Sequence, residues 1–363
     1  MKRLITLLVA FCFILSGCRG PETYKTISFA TWGSKTEIAI IKSVIDDFEL
    51  KNPDIKINLM HIPQNYFQKI HLLFASNTEP DIIFINNLYL PVYANSDKLL
   101  ELKPDISDYN EKILKALSWK GKYYAIPRDI SLLVIYYNKD IFKRYGIKEP
   151  EPDWTSDDFF QKTLEIKEKT GKFAISFEDD ALFYLPYIMS NGGDFIKADE
   201  KAQQARQFYI DLAYKYNVAP RKDQSASMTM AQMFLNGDIV MHLTGRWLYP
   251  KYKENAKFEI GAVTFPKGIA GSIVSLDGSG WAVSKSSKNK DTALKFIEFL
   301  SSKDTIEKFT QTGLIIPARA DVLAENSDVY SEALKTALPT SVTVDYNKVL
   351  DKRKQELMNM IQK

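Results

Sequence analysis

The sequence predicts an α/β protein built from two compact units. Three observations carry this. Segments with strand and helix periodicity alternate along the whole length, several apolar runs read as strands buried on both faces, and 363 residues exceed what one ordinary core encloses. Residues 26–32 predict the first strand; Gly33 ends it, and Ile38, Ile41, Val44, Ile45 and Phe48 follow at helical spacing. Asn52-Pro53-Asp54 stops that helix, and residues 55–59 alternate as a second strand. A helix over 66–76 leads to the apolar run at 80–87. Its polar exit, Asn86-Asn87, is where an open parallel sheet presents groups to a ligand.

A second unit begins after Pro127. Residues 132–137 read as a buried strand, and Pro150 and Pro152 precede a charged amphipathic helix over 156–169. Thr155 or Ser156 caps it, with Asp157 and Asp158 complementing its dipole. Further helices are predicted over 181–190, 198–216, 227–236, 290–300, 304–312 and 345–360, and strands over 173–177, 239–243, 259–264 and 279–284.

Composition excludes several classes. Hydrophobic residues at 45% and charged residues at 26% rule out global disorder. A formal net charge of +3 lacks the basic excess that nucleic-acid binding uses, so no nucleic-acid partner is expected. Two cysteines cannot build a disulfide framework, and His61, His71 and His242 form no metal-ligand spacing, so no metal and no cofactor are expected. Gly-x-Ser-x-Gly, the phosphate-cradling glycine loop and His-Glu-x-x-His are all missing, and Gly278-Ser279-Gly280 fails the dinucleotide fingerprint at its third glycine. Glu178-Asp179-Asp180 could serve a glycosidase or simply a helix-capping turn.

The N-terminus indicates export. Lys2 and Arg3 precede an apolar run over 4–15, then Leu15-Ser16-Gly17-Cys18, the layout of a secretory signal. The run is about twelve residues, short of the roughly 20 that span a bilayer. Leu-Ser-Gly-Cys resembles a bacterial lipobox. That resemblance implies a lipoprotein signal peptide at 1–17, lipid attachment on Cys18 and a membrane-anchored tether at 18–23 on the extracytoplasmic face.

What chemistry remains is aromatic. Trp32-Gly33, Gly245-Arg246-Trp247 and Ser279-Gly280-Trp281 set tryptophans beside glycines and polar groups. Sugars present apolar CH faces and hydroxyl edges, so their sites combine flat rings with bidentate side chains and nearby amides.

A family resemblance runs through nearly the whole mature chain. It is carried in order by FELKNPDIKI at 48–57, PDII at 80–83, GKYYAIP at 121–127, YYNKDIF at 136–142 and NGGD at 191–194. FLNG at 234–237, GRW at 245–247, SGWAV at 279–283, SKNK at 287–290, FIEFL at 296–300 and TGLIIPAR at 312–319 continue it. With these segments the chain is similar to the extracellular solute-binding proteins of ABC importers, family 1, the class that includes maltose-binding protein. The resemblance implies a two-lobed periplasmic-binding-protein-like (type II) fold. Lobe one would comprise 24–128 and 266–316 and lobe two 130–264 and 318–363, with crossings near 127–131, 264–267 and 315–319. A ligand held between the lobes would favour their closure.

The same resemblance implies a non-enzymatic, monomeric receptor that delivers a mono- to oligosaccharide to the transmembrane subunits of an ABC permease. Carried over position by position, it nominates Trp32 and Ser34 after the first strand, Asn86 and Asn87 at the strand exit, and Arg128, Asp129 and Ser131 at the first crossing. It further nominates Phe183 or Tyr184 as an aromatic wall, Trp247 as the stacking platform, Gly280 and Trp281 as an amide and a ring, and Arg319 as a fork onto sugar oxygens. The tail ending at Lys363 is shorter than the family's usual helical C-terminus, which is consistent with a smaller ligand. A polyol, glycerophosphodiester or polyamine on the same fold stays open, as do a cell-surface glycosidase and a sensory co-receptor.

Overall fold

The computed structural model describes residues 24–225, 227–324 and 328–362. The expected signal peptide at 1–17, Cys18 and the tether at 18–23 lie outside the described residues. Among the described residues no helix is long and apolar enough to cross a membrane.

Strands β1 (Lys25–Thr31), β2 (Ile55–His61) and β3 (Ile82–Asn86) come first. A short hairpin of β4 (Ser118–Trp119) and β5 (Lys122–Tyr123) precedes β6 (Ile126–Ser131), and β7 (Leu133–Asn138) follows after Leu132 alone. Then come β8 (Phe173–Ile175), β9 (Ile239–Gly245), β10 (Ile260–Val263), β11 (Ser275–Val283), β12 (Ile316–Pro317) and β13 (Leu338–Pro339).

The larger sheet runs β12-β6-β11-β3-β1-β2 with β13 attached to β11, and the smaller runs β10-β7-β9-β8. β1 is parallel to β2 and β3, whereas β11 is antiparallel to β3 and β6. Each sheet is the centre of one lobe. The chain leaves the larger sheet between β6 and β7 and returns between β10 and β11. After β12 it crosses again, and helices Asp328–Thr336 and Tyr346–Ile361 pack on β7 and on helices Ala181–Ser190 and Glu200–Tyr214 of the smaller lobe.

Periodicity explains the layers. Helix Lys35–Lys51 buries Ile38, Ile41, Val44, Ile45 and Phe48, the stripe its sequence marks out. Phe48 meets Phe296 and Phe299 of helix Lys290–Leu300 at centroid distances of 4.8 and 5.3 Å. Burial of side chains of this size contributes about 1.5–3 kcal/mol each. Thr155 caps helix Ser156–Thr170 through a capping box with Asp158, and Gly171 ends it at φ 71°.

Where boundaries differ from expectation, the backbone gives the reason. Two helices start late, at Glu200 and Met230. Ala198 (φ 53°) and Ser227 (φ 70°) are left-handed, and Asp199 and Thr229 take over as caps. β11 begins four residues before the predicted 279, and β6 and helices Tyr249–Asn255 and Asp328–Thr336 were not predicted.

Candidate ligand-binding cleft

Three segments converge where strands end. β1 runs out into Trp32-Gly33-Ser34 and then helix Lys35–Lys51. β9 runs out into the turn Arg246–Leu248, and β6 crosses between the lobes. With the approach to β12 they enclose a cavity of about 190 Å³. Trp32, Glu37, Arg128, Asp129, Ile130, Ser131, Ser279, Leu314, Ile315 and Ile316 line it from the larger lobe and the crossing; Arg246 and Trp247 line it from the smaller lobe. A cavity of about 270 Å³ among helices Ser156–Thr170, Ala181–Ser190 and Glu200–Tyr214 is lined by the smaller lobe and its exit segment, so an occupant there would not bridge the lobes.

A buried charge cluster forms one wall. The Arg128 Nε donates to Asp129 Oδ2 at 2.6 Å, its Nη2 lies 2.6 Å from the same oxygen, and its Nη1 donates to Glu37 Oε1. The guanidinium lies over Phe84 at 4.3 Å and Phe309 at 5.2 Å. Burial alone would lower the Arg128 pKa, but Asp129 and Glu37 outweigh it and hold the group above its ordinary value. Burial also pushes the Asp129 carboxyl up, against the pull of Arg128. Its second oxygen accepts from the Ser279 N–H at 3.2 Å. Glu37 sits in the first turn of its helix, where the dipole favours an anion. The carboxylate crowds Gly33, whose φ is 147°; a Cβ there would meet Glu37 Oε2 at 2.8 Å.

Two tryptophans approach from opposite lobes. Trp32 is half-buried, its ring held by Tyr66, Phe67 and Phe84 at 4.9, 5.5 and 4.3 Å. Trp247 is 36% exposed and its ring folds over Gly245, where a Cβ would come within 1.8 Å of Cζ3. That glycine is what lets the ring lie flat against the end of β9.

The structure gathers Trp32, Arg128, Asp129, Ser131 and Trp247 of the nominated residues around this cavity. The others stand elsewhere. Ser34 is exposed and caps helix Lys35–Lys51, accepting from the Glu37 N–H at 3.2 Å. Asn86 accepts from the Tyr89 N–H at 3.1 Å and shapes the turn after β3. Asn87 is buried, donating to Asp277 Oδ1 at 2.8 Å and accepting from the Gly278 N–H at 3.1 Å. Phe183 is half-buried in the first turn of its helix, while Tyr184 is fully buried among Phe195 and Tyr209. Trp281 is 1% exposed and packs on Phe84, because β11 lies inside the larger sheet between β3 and β6 and is buried along nearly its whole length. Gly280 is where β11 and β6 press together; a Cβ there would lie 2.3 Å from the Ile126 carbonyl oxygen. Arg319 is tied to Asp321 and Asp108 at 2.9 Å each, beside the ring of Tyr109. Glu37, Arg246 and Ser279 line the cavity without having been nominated.

The Asn87–Asp277 pair carries a pH signature. Burial raises the Asp277 pKa, against the bond from Asn87. In the window between its ordinary value of 3.8 and its raised folded value, the folded state holds the proton more tightly than the unfolded chain. Asp277 therefore favours folding at low pH, and that contribution is lost as pH rises through the window. Asp277→Asn keeps an acceptor for Asn87 and cannot ionise, so its stability relative to the native chain should rise as pH increases through this window. Urea unfolding at a series of pH values checks this, and a flat difference would contradict it.

A family model described as bacterial extracellular solute-binding protein matches residues 43–337. The multiple sugar-binding protein of Streptococcus mutans is 26% identical, covering 84% of this chain and 78% of its own length. The maltodextrin-binding protein of Bacillus subtilis is 26% identical over 83% and 77%. An ABC substrate-binding protein of Listeria monocytogenes, solved in complex with cycloalternan, shares the fold with a TM-score of 0.85 at 23% identity, over 93% of this chain and 94% of that one. With two sheets, each the centre of one lobe, and the family match over most of its length, the chain belongs to the bacterial extracellular solute-binding proteins, an exported family.

Proposed function

We propose that this protein binds a carbohydrate between its two lobes and delivers it to the permease of an ABC importer, without chemical turnover. The observation that carries the reading is the pairing of Trp32 and Trp247, from opposite lobes, around one cavity that also holds Glu37, Asp129, Ser131, Ser279 and Arg246. Flat rings take the CH faces of a sugar, while carboxylates, a guanidinium and hydroxyls take its edges. The names of the relatives support a sugar over a polyamine or a phosphodiester. In this reading the lobe boundaries lie at the crossings near 127–131, 264–267 and 315–319, and a lipid on Cys18 keeps the monomeric receptor at the membrane. Isothermal titration calorimetry against maltose, maltotriose, lactose, spermidine and glycerophosphocholine tests the ligand class. Heat from at least one sugar with no product formed is expected, and silence from every sugar would reject the reading. Mass spectrometry of the membrane-extracted protein, read at its N-terminus, tests the anchor.

A further inference from the structure

We infer that Gly313 is a positioning residue for the cleft. Its bare Cα sets how closely the smaller lobe's Arg246–Tyr249 step settles on the larger lobe, and so where Arg246 and Trp247 stand against the acid pair. The inference rests on the binding reading above.

Gly313 follows helix Lys303–Gln311, which packs on helix Lys35–Lys51 of the larger lobe, and it precedes Leu314, Ile315 and Ile316 of the cavity wall. Tyr249 opens the helix Tyr249–Asn255 that continues from β9 of the smaller lobe. A Cβ on Gly313 would lie 2.9 and 3.2 Å from Cδ1 and Cε1 of Tyr249, and 3.9 Å from Nη2 of Arg246. Carbon atoms at rest sit about 3.5–4.0 Å apart, so an added methyl group must push. Tyr249 is half-buried, with its neighbours on the smaller lobe. Its ring lies nearly parallel to that of Tyr136 at 6.4 Å, and the Tyr136 hydroxyl is hydrogen-bonded to the Tyr330 hydroxyl. The Arg246 guanidinium sits over Tyr249 at 5.3 Å and over Tyr330 at 5.4 Å. Packed side chains of this kind move as a block, so the push passes to the lobe rather than ending in one ring.

A side chain at Gly313 has a second, separate cost, because its φ of 76° disfavours any residue with a Cβ. The test must part the two. Gly313→Ala should weaken maltotriose binding about tenfold by calorimetry and enlarge the radius of gyration of the unliganded protein in X-ray scattering. Adding Tyr249→Ala should restore both, while the melting temperature stays lowered because the backbone strain remains. Native affinity and radius in Gly313→Ala, or no recovery in the double variant, would overturn the inference. If maltotriose fails to bind the native protein, the carbohydrate reading fails for that sugar, and the unliganded scattering comparison alone decides the role of Gly313.

Discussion

Replacing Arg128 with methionine is expected to lower folding stability by about 3–5 kcal/mol, read as a fall in the urea midpoint with little change in slope. The guanidinium pairs with both Glu37 Oε1 and Asp129 Oδ2, and all three side chains are about nine-tenths buried or more. Methionine fills much of the volume and keeps contact with Phe84 and Phe309, so the loss reports two stranded carboxylates rather than a cavity. The triple variant Glu37→Gln, Arg128→Met, Asp129→Asn removes the charges together and should regain a large part of the loss, because no ion is left unpaired in a low-dielectric site. If the triple variant is as unstable as the single one, packing and not charge holds this wall. The single variant should also bind sugar poorly, since Asp129 holds the Ser279 amide through its second oxygen.

Much of the layering was legible because it follows from period. The stripe on helix Lys35–Lys51 states which face is buried, and the unbroken apolar runs of β3 and β7 state that both faces are. β6 was not legible, because Ile126-Pro127-Arg128-Asp129 places proline and two charges where a strand pattern expects apolar residues. It is a strand because its partners β11 and β12 flank it and because Glu37, distant in sequence, neutralises Arg128. Such compensation is written in three dimensions only. The same limit explains the site. Trp32 and Trp247 stand at strand ends, which sequence can mark. Trp281, in an equally suggestive Ser-Gly-Trp context, lies in the middle of the larger sheet, paired with Phe84 of β3 and Ile126 of β6, a placement that no local pattern announces. Arg319 matched a family position, yet Asp108 and Asp321 claim its guanidinium. Glu37 had one local signal, an acid in the first turn after a serine cap, but that pattern marks many helices with no ligand nearby.

Trp247→Ala should weaken sugar affinity on the order of 100-fold, the loss typical of an aromatic anchor worth about 2–3 kcal/mol in a desolvated contact. Its melting temperature should stay close to native, because the ring is 36% exposed and supports little of the core. Trp32 offers no such clean separation, as its ring is wedged among Tyr66, Phe67 and Phe84 and truncation would open the core of the larger lobe. A second substitution sharpens the test. Gly245→Ala leaves the Trp247 ring in the protein but drives it off the end of β9, since the new Cβ would overlap Cζ3. If the flat pose of the ring against the backbone is what stacks a sugar, Gly245→Ala should approach the affinity loss of Trp247→Ala. Near-native binding by either variant, measured by calorimetry with a sugar that the native protein takes up, would remove Trp247 from the binding surface.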